Sequence, residues 1–189
     1  MPEYKCDIEY IIRENDFKRI FNQATTYHDK TMITLLWLTA GRPSELRKLQ
    51  KNDIVIDREH GRIIVKIETK KLGRKGIFII RKRKLNIKVD VDRPYIQVIE
   101  KHLNRLKDKD TLVFNYPENT FLNRVKRLCY DALGQDLCSY NFRHSRMTLL
   151  AEKGMTEDEL MRFKGSRTKK SVAPYVHARD IEYDVEIDA

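Results

Sequence analysis

The stretch Tyr140-Asn141-Phe142-Arg143-His144-Ser145 decides how this chain is read. An arginine stands where an amphipathic helical pattern opens. Met147, Leu149, Leu150 and Ala151 continue the pattern, and Gly154 stops it. Downstream, Ser171-Val172-Ala173-Pro174-Tyr175-Val176-His177 carries a lone tyrosine. Far upstream, Thr39-Ala40-Gly41-Arg42-Pro43-Ser44-Glu45-Leu46 sets a second arginine at a helix-to-helix turn. Two separated arginines and a phenol suit one chemistry. The planar guanidinium forks match two non-bridging oxygens of a phosphodiester, and the phenol attacks its phosphorus.

Outward from these blocks the chain reads as mainly α with a small antiparallel sheet, an α+β layout. Asp16 to Gln23 predicts a short helix with Phe17, Ile20 and Phe21 on one face. Thr31 to Leu38 is strongly apolar and predicts a buried core helix that Gly41 stops. Pro43 suits the first turn of a following helix, expected to run to about Leu49. From Asp53 the period becomes strand-like. Ile54-Val55-Ile56, Ile63 to Ile67 and Ile77 to Ile80 predict strands, and Leu85 to Val91 either extends the sheet or adds a strand. Helical patterning resumes after Pro94, where Tyr95, Val98, Ile99, His102, Leu103 and Leu106 share a face. Phe121 to Leu133 predicts the next helix, with Leu122, Val125, Leu128, Cys129 and Leu133 facing inward. Thr156 followed by three acids predicts a capped helix that ends at Gly165.

Composition narrows the partner. The chain has 189 residues, enough for one domain with a real core. No apolar run approaches the ~18–20 residues of a membrane span. Its start shows no signal-peptide pattern. Three cysteines without a C-x-x-C fit a reducing, intracellular compartment better than a disulfide framework or a zinc site. The net charge of +10 is concentrated, because residues 62–88 hold eleven bases and one acid. Such a stretch predicts a polyanionic partner. Residues 180–189 carry five acids and no base, and alternate perfectly from Ile181 to Asp188. They read as an acidic tail following a domain over residues 1–179. No phosphate-loop motif is present, and no acid or histidine cluster shows metal spacing, so neither cofactor nor metal is expected.

The blocks resemble the catalytic domain of the tyrosine recombinases, or phage integrases, whose pattern runs T-G-x-R-x-x-E-L, a hairpin Lys, H-x-x-R-H, G-H, and a Tyr closely followed by His. The resemblance spans roughly residues 10 to 178. It implies Arg42 and Arg143 as the phosphate clamp, Tyr175 as the nucleophile and Glu45 as the supporting acid. It implies Lys70 as the proton donor to the leaving 5′ oxygen, with Lys71 as the alternative. Lys71, Arg74 and Lys75 would contact DNA. Two positions depart from the pattern: Tyr140 stands where His is usual, and Ser166 follows Gly165 where His is usual. Integrases of archaeal viruses and plasmids resemble this chain in replacing the first histidine. Both hydroxyls still donate to a phosphate oxygen, but neither is a good proton acceptor at neutral pH. His144 matches a family residue that is usually structural, and His177 also flanks the motif. The implied function is site-specific recombination of double-stranded DNA through a 3′-phosphotyrosine, by a monomer that forms a homo-tetramer on paired sites. The alternatives are type IB topoisomerase-like relaxation and a DNA-binding module that no longer cleaves. Family members usually carry a further N-terminal domain, and this chain begins close to the catalytic one.

Overall fold

The computed structural model describes residues 9–72 and 78–176. Helix α1 (Glu14–Gln23) opens where Asp16 accepts from the Arg13 N–H at 3.0 Å. It buries Phe17, Ile20 and Phe21, and Phe17 stacks on Trp37 with ring centroids 5.0 Å apart. Thr26 caps α2 (Tyr27–Thr39) by accepting from the Asp29 N–H at 3.0 Å. Its residues from Thr31 to Thr39 are all buried, as an apolar helix surrounded by other elements requires. Helix α3 (Pro43–Leu46) follows at once. Helices α4 (Pro94–Asn104) and α5 (Glu118–Leu133) complete the main core with Ile96, Val98, Ile99, Leu103, Phe121, Val125 and Cys129.

The sheet has three antiparallel strands in sequence order, β1 (Ile54–Asp57), β2 (Arg62–Leu72) and β3 (Phe78–Lys88). Ile63, Val65 and Ile67 alternate inward on β2, and Leu85 and Ile87 do so on β3. Ile67 pairs with Arg83 and Thr69 with Arg81. Of the two alternatives for the residues from Leu85 on, the structure takes the first: they continue β3 as far as Lys88, paired with the β2 ladder that runs unbroken from Arg62 to Leu72.

Helices α6 (Ser139–Glu152) and α7 (Glu157–Lys164) close the fold. The Thr156–Glu159 capping box starts α7 as expected: the Glu159 carboxylate accepts from the Thr156 N–H at 2.8 Å. A 3₁₀ turn (Lys169–Ser171) and a last helical turn over residues 173–176 carry the chain past Tyr175. A second, smaller apolar cluster forms here from Ala40, Met147, Leu150, Ala151, Leu160, Val172 and Tyr175. No helix among the described residues is long and apolar enough to cross a membrane.

Three local expectations change. Helix α6 begins at Ser139, so Arg143 lies inside it rather than ahead of it. The Asn141 side chain accepts from the Cys138 N–H at 2.9 Å and satisfies an end donor earlier than the apolar pattern suggested. Helix α3 ends at Leu46, well short of Leu49. Helix α2 stops because Ala40 takes a left-handed conformation, φ 48°. Gly41 is needed for space: a Cβ there would lie 2.7 Å from Leu46 and 2.9 Å from the Thr39 hydroxyl. Residues 180–189, with Arg74, Lys75 and His177, lie outside the described residues.

Candidate active site

The tight α2–α3 turn fixes Arg42 and Glu45 together. Glu45 sits one turn into α3 and reaches back to the Arg42 N–H at 3.0 Å and to Arg42 Nη1 at 2.9 Å. Arg42 keeps half its side chain exposed, whereas Glu45 is 3% exposed. Two further donors fill the Glu45 carboxylate, Thr69 Oγ1 at 2.7 Å and Arg83 Nη2 at 2.9 Å. Burial pushes this carboxyl up, but Arg83, the Arg42 N–H, Thr69 and the Arg42 charge outweigh it. The net shift is downward, so Glu45 is ionised at neutral pH.

Arg143 is buried beneath this pair. Nη1 donates to the Ala40 carbonyl and Nη2 to the Lys164 carbonyl at 3.0 Å. The left-handed Ala40 and the C-terminal carbonyl of α7 therefore aim the guanidinium. Burial, followed by the Arg42 charge, lowers it to about 10. It still carries its charge at neutral pH.

Tyr175 is 5% exposed and packs in the smaller apolar cluster. Burial, with Tyr140 as a hydrogen-bonding neighbour, pushes its phenol up to about 12, against the opposing pull of Arg143. Tyr140 is half-exposed on α6 and stacks on His144 one turn later, with centroids 6.4 Å apart. His144 lies against Tyr175 with centroids 5.3 Å apart. Burial and then the Lys164 charge lower the His144 imidazole, leaving it neutral at pH 7. Ser166 is engaged in the turn after α7, where its hydroxyl bonds that of Ser171 and its backbone N–H donates to the Met161 carbonyl.

The structure thus gathers Arg42, Glu45, Arg143, Tyr140 and Tyr175, with Ser166 in the adjoining turn. Lys70 and Lys71 lie in β2, where their backbones pair with Ile80 and Ile79. Sequence reading missed three residues here: Thr69, Arg83 and Lys164. Arg83 is hidden in a lysine-rich run, yet it continues the inward alternation of Leu85 and Ile87. Its other Nη donates to the Phe163 carbonyl, and Gly165 packs against it. A Cβ at Gly165, whose φ is 70°, would lie 3.2 Å from Arg83 Cδ. Beside Glu45 and Arg83, a groove of about 570 Å³ is lined by Lys48, Lys66, Lys82 and Lys84, together with Asp53 and Glu68.

Arg83→Met is expected to destabilise the protein by about 3 kcal/mol, because it leaves Glu45 buried with one cation fewer. Thermal or urea unfolding measures this, and Glu45→Leu added to Arg83→Met should recover part of the loss. A cost below about 0.5 kcal/mol would show that Arg42 and Thr69 suffice for Glu45. The Glu45 pKa is lower folded than unfolded, so its contribution is present at neutral pH. It is lost as pH falls below the ordinary carboxylate value.

The sequence matches the phage integrase family over residues 11–182. The chain belongs to that family. Among solved structures it resembles XerA recombinase, with 15% identity and a TM-score of 0.72, covering 95% of this chain and 65% of that one. It also resembles XerH site-specific recombinase bound to a palindromic difH substrate in a post-cleavage complex, with 14% identity and a TM-score of 0.68, covering 95% and 53%. The Tn1549 transposon integrase in complex with transposon right-end DNA matches with 17% identity and a TM-score of 0.61, covering 95% and 66%. The chain therefore spans about half to two thirds of the length of these integrase-family proteins. No curated protein matches at a significant level. The mainly helical fold with a small antiparallel sheet is that of tyrosine recombinase catalytic domains.

Proposed function

We propose that this integrase-family protein is a site-specific DNA recombinase whose Tyr175 cuts and rejoins double-stranded DNA. The observation carrying the reading is the shared site of Tyr175, Arg143 and the Arg42–Glu45 pair. The two guanidinium groups would hold the non-bridging oxygens of one phosphodiester and stabilise charge on the pentacoordinate phosphorus. Tyr175 would lose its proton and form an O–P bond as the bond from phosphorus to the 5′ oxygen breaks. Lys70 would give that oxygen its proton. A 3′-phosphotyrosine and a 5′ hydroxyl result, and a partner strand's 5′ hydroxyl reverses the step. The Lys48, Lys66, Lys82 and Lys84 side of the groove suits backbone phosphates, and Lys71, Arg74 and Lys75 would add further contacts to DNA. Residues 1–179 would form one catalytic domain and 180–189 an acidic tail. The protein would be a monomer alone and a homo-tetramer on paired sites within the cell. Tyr140 in place of the usual histidine allies it with integrases of archaeal viruses and plasmids.

The high resting pKa of Tyr175 and the engagement of Ser166 in its own turn favour a second reading, a DNA-binding module that no longer cleaves. One experiment separates them. A nicked suicide duplex, carrying a site selected by binding from a random library, is incubated with the protein and run on a denaturing gel. A slow, protease-sensitive DNA band supports the recombinase, and tight binding without it supports the module.

The lysine assignment has its own test. A 5′-bridging phosphorothiolate leaves without needing a proton. It is expected to restore cleavage by Lys70→Ala strongly and by Arg42→Ala poorly. Adjacent strand residues face opposite sides, so rescue of Lys71→Ala in its place would reassign the acid.

A further inference from the structure

Lys164 is the last residue of α7 and belongs to none of the roles assigned above. Its three attachments all serve the site. Its backbone carbonyl accepts from Arg143 Nη2. Its ammonium donates to the carbonyl of Ser171, at the end of the 3₁₀ turn that leads into Tyr175. The same nitrogen lies over the Tyr175 ring, 4.9 Å from its centroid. A half-buried lysine spanning from a helix end to the segment carrying the candidate nucleophile is poorly explained as a solvated surface charge.

Resting on the recombinase reading, we propose that Lys164 is a positioning residue for Tyr175: its ammonium seats the ring and supplies the field in which the phenol ionises. The role answers a specific need. Neither Tyr140 nor Ser166 accepts a proton readily at neutral pH. Burial raises the phenol, so nearby positive charge must favour the phenolate. In the reaction the Tyr175 O–H bond breaks and its proton passes to water at the site mouth, where Tyr140 is half-exposed. The phenolate oxygen bonds to phosphorus as the bond to the 5′ oxygen breaks. Lys164 keeps its own protons throughout.

The groups around this ammonium set its titration. Arg143 and His144 face it from α6, Arg42 from the α2–α3 turn, and Tyr140 lies beside the Tyr175 ring it covers; Arg83 from β3 packs against Gly165. Glu157, at the far end of α7, pairs with Lys169 instead. Burial, then Arg143 and Arg42, lower Lys164 to about 8. The charge is therefore present at neutral pH and lost in mildly alkaline solution. A phosphodiester placed between the arginines would raise that value again.

The test compares wild type, Lys164→Met and Lys164→Arg in two measurements. In the free protein, 3-fluorotyrosine placed at position 175 alone is titrated by ¹⁹F NMR. Lys164 loses its charge below the pH at which the phenol titrates, so wild type and Lys164→Met should share a midpoint, whereas the permanent cation of Lys164→Arg should lower it by about one pH unit. On the suicide duplex, single-turnover cleavage by Lys164→Met should fall about tenfold at neutral pH, as expected from a tenfold smaller phenolate fraction. Lys164→Arg should cleave near the wild-type rate. The wild-type profile should flatten as Lys164 deprotonates, whereas the Arg variant should keep rising with pH. A Lys164→Arg midpoint no lower than that of wild type would overturn the proposal. So would a Lys164→Arg protein as slow as Lys164→Met, or a Lys164→Met loss explained by lower thermal stability or DNA affinity. The fluorine titration needs no DNA. If wild type forms no adduct while the midpoint shifts as expected, the recombinase reading fails and the coupling of Lys164 to Tyr175 stands.

Discussion

Tyr175→Phe is expected to form no covalent DNA adduct at all, while binding the same duplex with unchanged affinity. Only the hydroxyl is removed. The ring keeps its place beside Met147, Leu150 and Val172 in the smaller apolar cluster. The hydroxyl removed neighbours Tyr140 at the half-exposed mouth of the site. The stability change should therefore stay within about 1 kcal/mol. Denaturing gels on the suicide duplex, a gel-shift titration and a melting curve together check the three statements. An adduct that persists in Tyr175→Phe moves the nucleophile to another phenol. Tyr140 is then the first candidate within the described site, and Tyr183 the first beyond it.

The second large effect concerns Arg143. Arg143→Lys is expected to slow single-turnover cleavage by about 10²–10³, the cost of one transition-state donor, with duplex affinity nearly intact. The structure explains why retained charge is not enough. Both terminal nitrogens of Arg143 already donate to carbonyls, Ala40 on one side and Lys164 on the other. A guanidinium has five N–H donors in a rigid fork, so it holds both carbonyls and keeps donors for a phosphate. One ammonium has no such fixed geometry. It would abandon a buried carbonyl or the phosphate, and either loss misplaces the charge. Some loss of stability should accompany the change, about 1–3 kcal/mol for a buried acceptor left unsatisfied. Arg42→Lys should share the catalytic defect with a smaller stability cost, because Arg42 is half-exposed. A large fall in affinity with normal residual chemistry would show that Arg143 binds DNA rather than stabilising the transition state.

The two histidine replacements take on a physical meaning in this setting. Tyr140 retains a hydroxyl at the mouth of the site and helps to raise the Tyr175 phenol. Ser166 instead serves the turn that delivers Tyr175, through Ser171. Arg143 supplies positive charge at the phenol and the Lys164 ammonium lies over its ring, and the two residues are attached to each other through the Lys164 backbone. A single helix end, that of α7, thus contacts both Arg143 and the Tyr175 ring.

By itself the sequence determined the element types and the family, and it singled out Arg42, Glu45, Arg143 and Tyr175, which the fold brings near one another. Those features are local or periodic: glycine and proline at the α2–α3 turn, alternation along the strands, and the Thr156 capping box. Element ends were less legible, because they depend on which donor a side chain happens to satisfy. Asn141 starts α6 a turn before its apolar pattern begins, and Ala40, not a glycine, takes the left-handed position that ends α2. The tertiary structure alone decided the surroundings of the candidate chemistry. Arg83 is distant from Glu45 in sequence and sits in a run that reads as solvated charge, yet the β2–β3 register turns it onto the Glu45 carboxylate. Lys164 has no local signature, and only the packing of α7 against the last turn brings its ammonium over Tyr175. Charge and burial act through space, so the groups that tune a phenol or a carboxylate come from wherever the fold places them.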